Sequence, residues 1–400
     1  MREIVLINMS GEDRPGLLMA FTDVLAQGAA NILDIDQQAS RGTQMLSALV
    51  EFRHAGAGQC LAALSTYASE HGQYFNCTPW AEADYQRWAN MQGQAQHLLT
   101  VLTRQLTAEQ LQRVTATARQ HGLKVERIDR LSACVVLGAP TERSKACFEL
   151  TVSGEPADRE ALRADLLALS QTLDMDIACQ QDTLYRRHRR LAVFDMDSTL
   201  IEAEVIDELA KAAGVGERVA QITERAMRGE IDFRASFKER LALLKGLDVK
   251  VLDDIGAALR LTEGTEVLFA ELKRLGYKTA ILSGGFTYFA KQLQARLGID
   301  YVFANELEVV DGQCTGVAIE PIVDAQRKAD LLQELARKEG LQLEQTIAVG
   351  DGANDLPMLA IAGLGVAFRA KPLVKQSAQH SISTLGLDGL LYLLGEPDRR

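Results

Sequence analysis

Two kinds of hydrophobic pattern occur along the chain, and the pattern changes near residue 190. Before that point, short segments of alternating apolar and polar residues are separated by segments with apolar residues at helical spacing. The pattern predicts strands at 3–9, 30–38, 44–52 and 72–78, and helices at 17–26 and 58–71. The order βαββαβ indicates an antiparallel sheet with two helices on one face, which is a ferredoxin-like α+β fold.

The same order of elements recurs further along the chain. Predicted strands lie at 98–102, 124–137, 146–153 and 174–180, and predicted helices lie at 107–121 and 155–173. Thr107 and Gln110 have the spacing of a capping box at the start of the first of these helices. The repeat predicts a second domain of the same α+β fold, although the two segments share no obvious identity.

From Leu191 onward, the predicted strands are continuous apolar runs, at 191–194, 279–282 and 346–350, with helical segments between them. Such strands are typical of a parallel sheet that is buried on both faces, and chemistry in an open α/β sheet lies at the carboxyl ends of the strands. The runs are followed by polar segments that we expect to meet there: Asp195-Met196-Asp197-Ser198-Thr199, Ser283-Gly284-Gly285 and Asp351-Gly352-Ala353-Asn354-Asp355.

These segments contain residue types that suit phosphate and metal chemistry. Acidic residues around Asp351 can complete a site of oxygen ligands for Mg²⁺. A hydroxyl and backbone N–H groups at Ser283-Gly284 can bind phosphate oxygens. Each feature is weak alone, because Asp-x-Asp is usually a turn or a helix cap, and Lys328 by itself is usually a surface lysine.

Composition narrows the class of protein. The chain has 400 residues, which predicts two or three domains, and 47% hydrophobic with 24% charged residues is usual for a soluble globular protein. A net charge of -11 argues against nucleic acid or an anionic membrane as the main partner. Six scattered cysteines without a CxxC pair, and no predicted signal peptide or membrane span, favour a cytoplasmic protein with reduced thiols.

A basic run, Arg186 to Arg190, lies just before the change of pattern. It can be a patch that attracts phosphate or a partner, or a solvated junction between domains. The acidic composition of the chain favours the junction.

Taken together and in this order, the three polar segments and Lys328 resemble the four motifs of the haloacid dehalogenase superfamily, over about residues 190–390. The resemblance implies a domain at 190–400 with a Rossmann-like core and a helical cap inserted at 200–262. It implies that Asp195 is a nucleophile that forms an aspartyl-phosphate and that Asp197 acts as general acid and base. It also implies Mg²⁺ bound by Asp195, Asp351 and the backbone carbonyl of Asp197, with Asp355 in support. The phosphoryl group would be held by Ser283, Gly284, Lys328 and Asn354.

The cap resembles that of the phosphoserine phosphatases, in the segments from Asp195 to Glu204 and from Ala226 to Phe233 with Arg240. This implies hydrolysis of O-phospho-L-serine to L-serine and phosphate, the last step of serine biosynthesis. Glu204 would bind the substrate ammonium and Arg240 its carboxylate, while Met227 and Phe233 would shield the site from water. Without the motif context, these residues would be the surface and the apolar stripe of an amphipathic cap helix.

The segments 11–17 and 30–36 resemble an ACT domain, so we expect ACT-like domains at 1–82 and 95–182. That family binds small ligands, commonly amino acids, between paired domains, which implies a homodimer. The ligand loop would contain Asp13, Pro15, Gly16 and Asn31. Two interpretations stay open, regulation by L-serine and an assembly scaffold without a ligand.

Two other functions remain as alternatives. The enzyme could pass its phosphoryl group to another alcohol, such as homoserine, or prefer another small phosphate ester. The chain could also be an amino-acid-sensing protein with a silent phosphatase domain. The joint presence of Asp195, Asp197, Lys328 and Asp351 argues against the silent domain.

Overall fold

A computed structural model of the chain describes residues 2–53, 56–91, 96–134, 138 and 144–398. These residues form two compact units, one on each side of the gap at 92–95. Within these ranges, no helix is long and apolar enough to cross a lipid bilayer. All six cysteines lie within the described ranges and carry free thiols.

The first unit has the predicted order of elements. They are β1 (Glu3–Glu12), α1 (Leu17–Gln27), β2 (Asn31–Ser40), β3 (Thr43–Phe52), α2 (Ala57–Glu70), β4 (Tyr74–Trp80) and a further helix, α3 (Glu82–Met91). The strands pair in an antiparallel sheet of order β2-β3-β1-β4. One face of the sheet packs on α1 and α2 through buried residues such as Ile7, Phe21 and Leu64. The strand β2, which forms the edge of the sheet away from β4, is almost entirely exposed.

The second unit begins with the same fold. Its elements are β5 (Gln96–Thr103), α4 (Ala108–Gln120), β6 (Lys124–Arg130), β7 (Ala146–Ser153), α5 (Arg159–Thr172) and β8 (Asp176–Gln181). The sheet order, β6-β7-β5-β8, repeats that of the first unit. The capping box at Thr107 and Gln110 is confirmed, because each residue's side chain accepts a hydrogen bond from the other's backbone N–H.

Two predicted boundaries in this domain are wrong. The strand predicted at 124–137 ends at Arg130. The backbone N–H groups of Leu131 and Ser132 both donate to the carbonyl of Cys147, and β7 begins at Ala146, which leaves no strand for residues 133–134 to pair with; residues 135–137 lie outside the described ranges. The helix predicted from Glu155 begins at Arg159. The side chain of Asp158 accepts hydrogen bonds from two backbone N–H groups of the first turn and so sets the start of the helix.

The C-terminal domain is built on a parallel sheet of order β11-β10-β9-β14-β15-β16. Its elements, apart from the cap, are β9 (Leu191–Phe194), α10 (Thr265–Arg274), β10 (Lys278–Phe286), α11 (Thr287–Leu297), β11 (Tyr301–Asn305), β12 (Leu307–Val310), β13 (Gln313–Ala318), α12 (Ala325–Lys338), β14 (Thr346–Gly350), α13 (Leu356–Ile361), β15 (Leu364–Phe368), α14 (Pro372–Ser377), β16 (His380–Ile382) and α15 (Leu390–Leu393). The strands β12 and β13 form a separate antiparallel pair.

The central strand β9 shows why the apolar runs are continuous. Leu191 and Val193 pack in the core on one face of the sheet, with α12 and α13. Ala192 and Phe194 pack in the core on the other face, where Phe269 of α10 contacts Phe194. All residues of β9 are fully buried, and each large apolar side chain buried in this way contributes about 1.5–3 kcal/mol.

Between β9 and α10, the chain forms a helical cap. Its helices are α6 (Val205–Ala212), α7 (Gly216–Met227), α8 (Phe233–Ala242) and α9 (Val251–Ala258). An antiparallel bridge between Ile201 and Leu261 joins the two segments that connect the cap to the core. The predicted fold class is therefore confirmed: two ferredoxin-like α+β domains and a Rossmann-like α/β core with a helical cap.

The basic run lies at a junction between domains, as the sequence suggested, but it is only partly solvated, because Arg187 and His188 are exposed while two of its arginines are buried. Arg186 is buried and forms an ion pair with Glu149 of β7. Arg189 is also buried, and it donates hydrogen bonds to the side-chain oxygen of Gln180 and to the carbonyl of Gly363. These arginines therefore pack the second domain against the C-terminal domain, because their partners lie on both.

Candidate active site

Three acidic residues meet at the carboxyl ends of the central strands. Asp195 follows β9 and Asp351 follows β14, and these strands are neighbours in the sheet. Asp355 lies one turn beyond Asp351, in a short 3-10 helix. One carboxylate oxygen from each of the three lies within 4.8 Å of the other two. The parallel sheet thus joins side chains that are far apart in the sequence.

Asp195 is held rigidly at this position. Its backbone N–H donates to the carbonyl of Val349 at 2.9 Å, which extends the pairing between β9 and β14 by one residue. Its side-chain Oδ1 accepts a hydrogen bond from the N–H of Met196 at 2.7 Å. The residue is 5% exposed, so the carboxylate is almost entirely enclosed by its neighbours.

Lys328 is the cation of the cluster. It lies in the first turns of α12, which begins at Ala325 after the N-cap Asp324. Its ammonium group is fully buried, 2.9 Å from Oδ1 of Asp195 and 2.7 Å from Oδ1 of Asp355. Burial alone would lower the pKa of Lys328, but the charges of Asp195 and Asp355 outweigh it and raise the pKa above its usual value.

The remaining charge of the cluster suits a divalent cation. Burial and the charges of Asp195 and Asp355 raise the pKa of Asp351 to about 7. Burial and the charge of Asp195 likewise raise the pKa of Asp355 to about 6, against the lowering effect of Lys328. Three carboxylates with one ammonium leave excess negative charge, and carboxylate oxygens are preferred ligands of hard cations. The residues present therefore fit a metal ion.

The carboxyl group of Asp197 lies beside the cluster in a different environment. Its Oδ1 accepts a hydrogen bond from the N–H of Val205 at 2.9 Å, at the start of α6. Burial, and then the charges of Glu204 and Asp195, raise the pKa of Asp197 well above its usual value. Gly285 makes room for it, since a Cβ at that position would overlap the Asp197 carboxylate.

The Ser283-Gly284-Gly285 segment lies next to Asp197 and belongs to strand β10, which was predicted to end at residue 282. Strand β10 continues through it to Phe286, with an irregularity between Leu282 and Phe286, and α11 begins only at Thr287. The Oγ of Ser283 accepts a hydrogen bond from the N–H of Gly285 at 2.9 Å. Sequence periodicity missed this extension because two glycines usually interrupt a strand.

Residues of the cap approach the same cleft. The ring of Phe233, at the start of α8, lies over Gly284, whose Cβ would be 3.1 Å from it. Oε1 of Glu204 accepts a hydrogen bond from Ser198 at 2.7 Å. Burial raises the pKa of Glu204, and burial lowers the pKa of Arg240 against the opposing charge of Asp207.

Two other predicted site residues, Asn354 and Met227, lie on elements that border the site. Asn354 is half-buried in the 3-10 helix that also carries Asp355. Met227 ends α7, and its side chain lies outside the described part of the structure.

The predicted effector residues lie in the first unit. Asp13, Pro15 and Gly16 connect β1 to α1 and are exposed, and Gly16 adopts a left-handed conformation with φ of 98°. Asn31 opens β2 and donates a hydrogen bond to Glu51 at 3.1 Å.

Comparison with known families agrees with this architecture. The model of haloacid dehalogenase-like hydrolases matches residues 192–360, and models of the ACT domain match residues 3–78 and 95–180. A phosphoserine phosphatase of Streptomyces coelicolor is 41% identical over 392 residues, which cover 98% of this chain and 92% of that protein. The chain belongs to the phosphoserine phosphatase family of haloacid dehalogenase-like hydrolases.

Other members of the family are similar over parts of the chain. A phosphoserine phosphatase of Archaeoglobus fulgidus is 51% identical over 250 residues, 62% of this chain and 73% of that protein. A solved structure of a probable phosphoserine phosphatase from Vibrio cholerae has 37% identity and a TM-score of 0.60, and covers 75% of this chain and 86% of that one. A HAD family hydrolase from Salmonella enterica serovar Typhi has 32% identity and a TM-score of 0.65 over 74% of this chain and 98% of that one.

Two residues that received no role from the sequence, Thr199 and Ser198, hold side chains of the candidate active site in place. The hydroxyl of Thr199 is fully buried and donates to Oδ1 of Asp351 at 3.0 Å. Ser198, whose φ of 55° is rare for a residue with a side chain, donates to Glu204. Both stand in the segment that follows β9, so their polar side chains were the available signal. Their partners could not be read from it.

Proposed function

We propose that the chain hydrolyses O-phospho-L-serine to L-serine and phosphate, with Mg²⁺ as cofactor and through an aspartyl-phosphate on Asp195. The observation that carries the proposal is the cluster of Asp195, Asp351, Asp355 and Lys328 beneath a cap that presents Glu204 and Arg240. Mg²⁺ would be held by Asp195, Asp351 and the backbone carbonyl of Asp197, with Asp355 in support. It would supply positive charge that offsets the charge of the phosphate.

In the first step, the carboxylate of Asp195 attacks phosphorus and the serine oxygen leaves. The raised pKa of Asp197 favours its protonated form, so this residue can give its proton to the leaving oxygen. The bond from Val205 N–H holds the carboxyl group in one orientation. In the second step, water attacks the aspartyl-phosphate while Asp197 accepts its proton, and Asp195 is regenerated with release of phosphate.

The residues that hold the phosphoryl group would be Lys328, Ser283, Gly284 and Asn354. Lys328 brings a positive charge against Asp195 and so beside the phosphoryl group under attack, whose oxygens carry the negative charge in the transition state. Because the ammonium is buried and bonded to two carboxylates, its position costs no reorganisation during the reaction.

Selection of the serine part would come from the cap. Glu204 would bind the substrate ammonium and Arg240 its carboxylate, which a guanidinium can hold with two parallel hydrogen bonds. Phe233, and by resemblance Met227, would exclude water from the closed site. The ring of Phe233 stacks with Phe237 at 6.2 Å between centroids, which ties it to the buried core of the cap.

Phosphate release from a matched set of esters tests the proposal. Phosphoserine, phosphoethanolamine and 3-phosphoglycerate share the phosphate but differ in carboxylate and ammonium groups. We expect wild type to prefer phosphoserine, to lose activity with EDTA and to regain it with Mg²⁺. Asp195→Asn should have no turnover with any ester. Equal rates on all three esters would contradict selection by the cap, and turnover by Asp195→Asn would contradict the nucleophile.

A phosphoryl acceptor is tested in the same assay. Adding homoserine should leave the yield of inorganic phosphate per serine unchanged at one, because water is the proposed acceptor. A lower yield with formation of phosphohomoserine would replace hydrolysis by phosphotransfer.

We further propose that the chain is a cytoplasmic homodimer with domains at 1–82, 95–182 and 190–400, and that its first ACT domain contributes to pairing. The exposed edge strand β2 carries Ile32 and Ile35, which are 38% and 41% exposed. Unpaired strand edges with apolar side chains favour association. Asp13, Pro15, Gly16 and Asn31 would form an L-serine site there. If serine binds but changes neither substrate affinity nor turnover, the domain is a scaffold.

A further inference from the structure

A cavity of about 430 Å³ lies between the second ACT domain and the C-terminal domain. It is bounded on one side by α5 and β8, and on the other by the segment that joins α14 to β16. Strand β16 is the outermost strand of the parallel sheet, so the cavity is separate from the acidic cluster at the central strands. Its volume is that of pockets that enclose small organic molecules.

The charged side chains that line this interdomain cavity are all cations, and one of them, Arg159, pairs at 3.1 Å with the carboxylate of Glu155, which does not itself line the cavity. Arg159 and Arg163 of α5 and Lys375 of α14 line it, and no carboxylate does so among the described residues. This is unusual for a chain with a net charge of -11. Arg163 also donates to the backbone carbonyls of Gln376, at 2.7 Å, and of Ala378, so it joins the two walls.

A buried histidine faces the cavity without a hydrogen-bond partner. His97 of β5 is 4% exposed, and in the described part of the structure its Nε2 makes no hydrogen bond. Its nearest carboxylate oxygen, on Glu155, is 3.9 Å away. Burial lowers the pKa of His97, so the ring is neutral near neutral pH. A buried polar atom of this kind costs free energy unless a bound group satisfies it.

Another part of the lining is apolar, although Ser170, Gln181, Gln379, His380 and Ser381 also line the cavity. Leu162 and Leu166 of α5 and Ile177 of β8 contribute side chains. Burial raises the pKa of Cys179 to about 11, so its thiol adds no charge. The cavity therefore combines cations and an unpaired imidazole with an apolar wall, which is the lining expected for an organic anion and not for an inorganic ion alone.

The first ACT domain offers an internal comparison. Its helix α2 has the same length as α5, 14 residues. When the two helices are aligned end to end, Ala57 and Leu61 stand at the positions of Arg159 and Arg163. The sheet register places Ile4 at the position of His97. The polar groups of the cavity are thus particular to the second domain and are not required by the fold.

We propose that this interdomain cavity binds a small organic anion, with a carboxylate or phosphate head against Arg159, Lys375 and His97 and an apolar body against α5 and β8. The ligand would touch both domains and would therefore stabilise their contact. The inference does not depend on which ester the active site hydrolyses.

Calorimetric titration of the full-length protein tests this site with three probes of the same shape. They are 2-naphthoate, 2-naphthylphosphonate, which a phosphatase does not hydrolyse, and the neutral 2-naphthamide. We expect at least one anion to bind with one site per chain, and at least about tenfold more tightly than the amide, because charge-assisted bonds are roughly twice as strong as neutral ones. Comparison of the two anions identifies the preferred head group.

Variants locate the binding. Arg159→Met combined with Lys375→Met should weaken the anion at least about tenfold and leave the amide unchanged, since only charge is removed. Lys291→Met replaces an exposed lysine of α11, which packs beside β10 and β11 at the other end of the sheet from β16; it is the matched control and should bind as wild type does. Phosphate release and thermal unfolding without ligand should be the same in all variants, which shows that they are folded. Absence of anion binding, equal binding of the amide, or unchanged binding in the double variant would overturn the proposal.

Discussion

Replacement of Lys328 by methionine separates the electrostatic role of this residue from its packing. Methionine fills a similar volume without charge or donors. The variant leaves Asp195 and Asp355 without the ammonium that lies 2.9 Å and 2.7 Å from their oxygens. Because the lysine and Asp355 are fully buried, water cannot replace the lost partner.

The size of the effect follows from this burial. Removing one partner of a buried ion pair costs about 3–5 kcal/mol, because the remaining charge is uncompensated. A domain of ordinary stability, about 5–15 kcal/mol, should survive this loss. Divalent metal ions should restore much of it, since a cation then neutralises the same carboxylates. Turnover should fall about 10²–10³-fold, as expected when a donor to developing charge is removed.

Three measurements on Lys328→Met check this reasoning. Urea unfolding of the C-terminal domain, followed with EDTA and with Mg²⁺, should show a larger stabilisation by metal in the variant than in wild type. Mg²⁺ should bind at least as tightly as in wild type, while phosphoserine turnover collapses. Lys291→Met, which changes an exposed lysine of α11, serves as control and should change none of the three quantities. Weaker Mg²⁺ binding in the variant, or turnover within about tenfold of wild type, would refute the assignment.

Three further predictions concern the cap, the metal site and stability. Arg240→Lys should raise KM for phosphoserine by at least about tenfold and leave phosphoethanolamine, which has no carboxylate, unaffected; equal effects on both esters would exclude a carboxylate contact. Thr199→Val removes the hydrogen bond to Asp351 and should weaken Mg²⁺ binding by about tenfold, measured from the metal dependence of turnover. The pKa of His380 is lowered by burial from 6.5 to about 3, so the unfolded chain binds more protons between these values and stability falls as pH falls below 6.5. Between pH 6.5 and 5, wild type should therefore lose about 2 kcal/mol more than His380→Gln in urea unfolding, and parallel losses would contradict the shifted pKa.

Most of the fold and of the candidate site that the sequence predicts comes from patterns within short continuous segments. The βαββαβ order was read correctly twice, because alternation and helical spacing are local properties of the chain. The segment after β9 indicated a pair of carboxylates at a strand end, and Asp195 and Asp197 lie there. Errors occurred where a boundary depends on a distant partner: β6 ends opposite the beginning of β7, and β10 continues through two glycines beside β11.

Residue types, their order and the chemistry available to them were determined by the sequence alone, since a carboxylate or an ammonium keeps its chemistry wherever it lies. Tertiary structure decided which groups share a partner and how far each is buried. Thr199 bonds to Asp351 across 152 positions, and Arg186 pairs with Glu149 in an interior that a basic run does not suggest. The same holds for the cavity beside His97, which exists because two domains pack together. Burial and long-range contacts set the pKa values and decide which buried polar atoms lack a hydrogen-bond partner, and no local pattern encodes either.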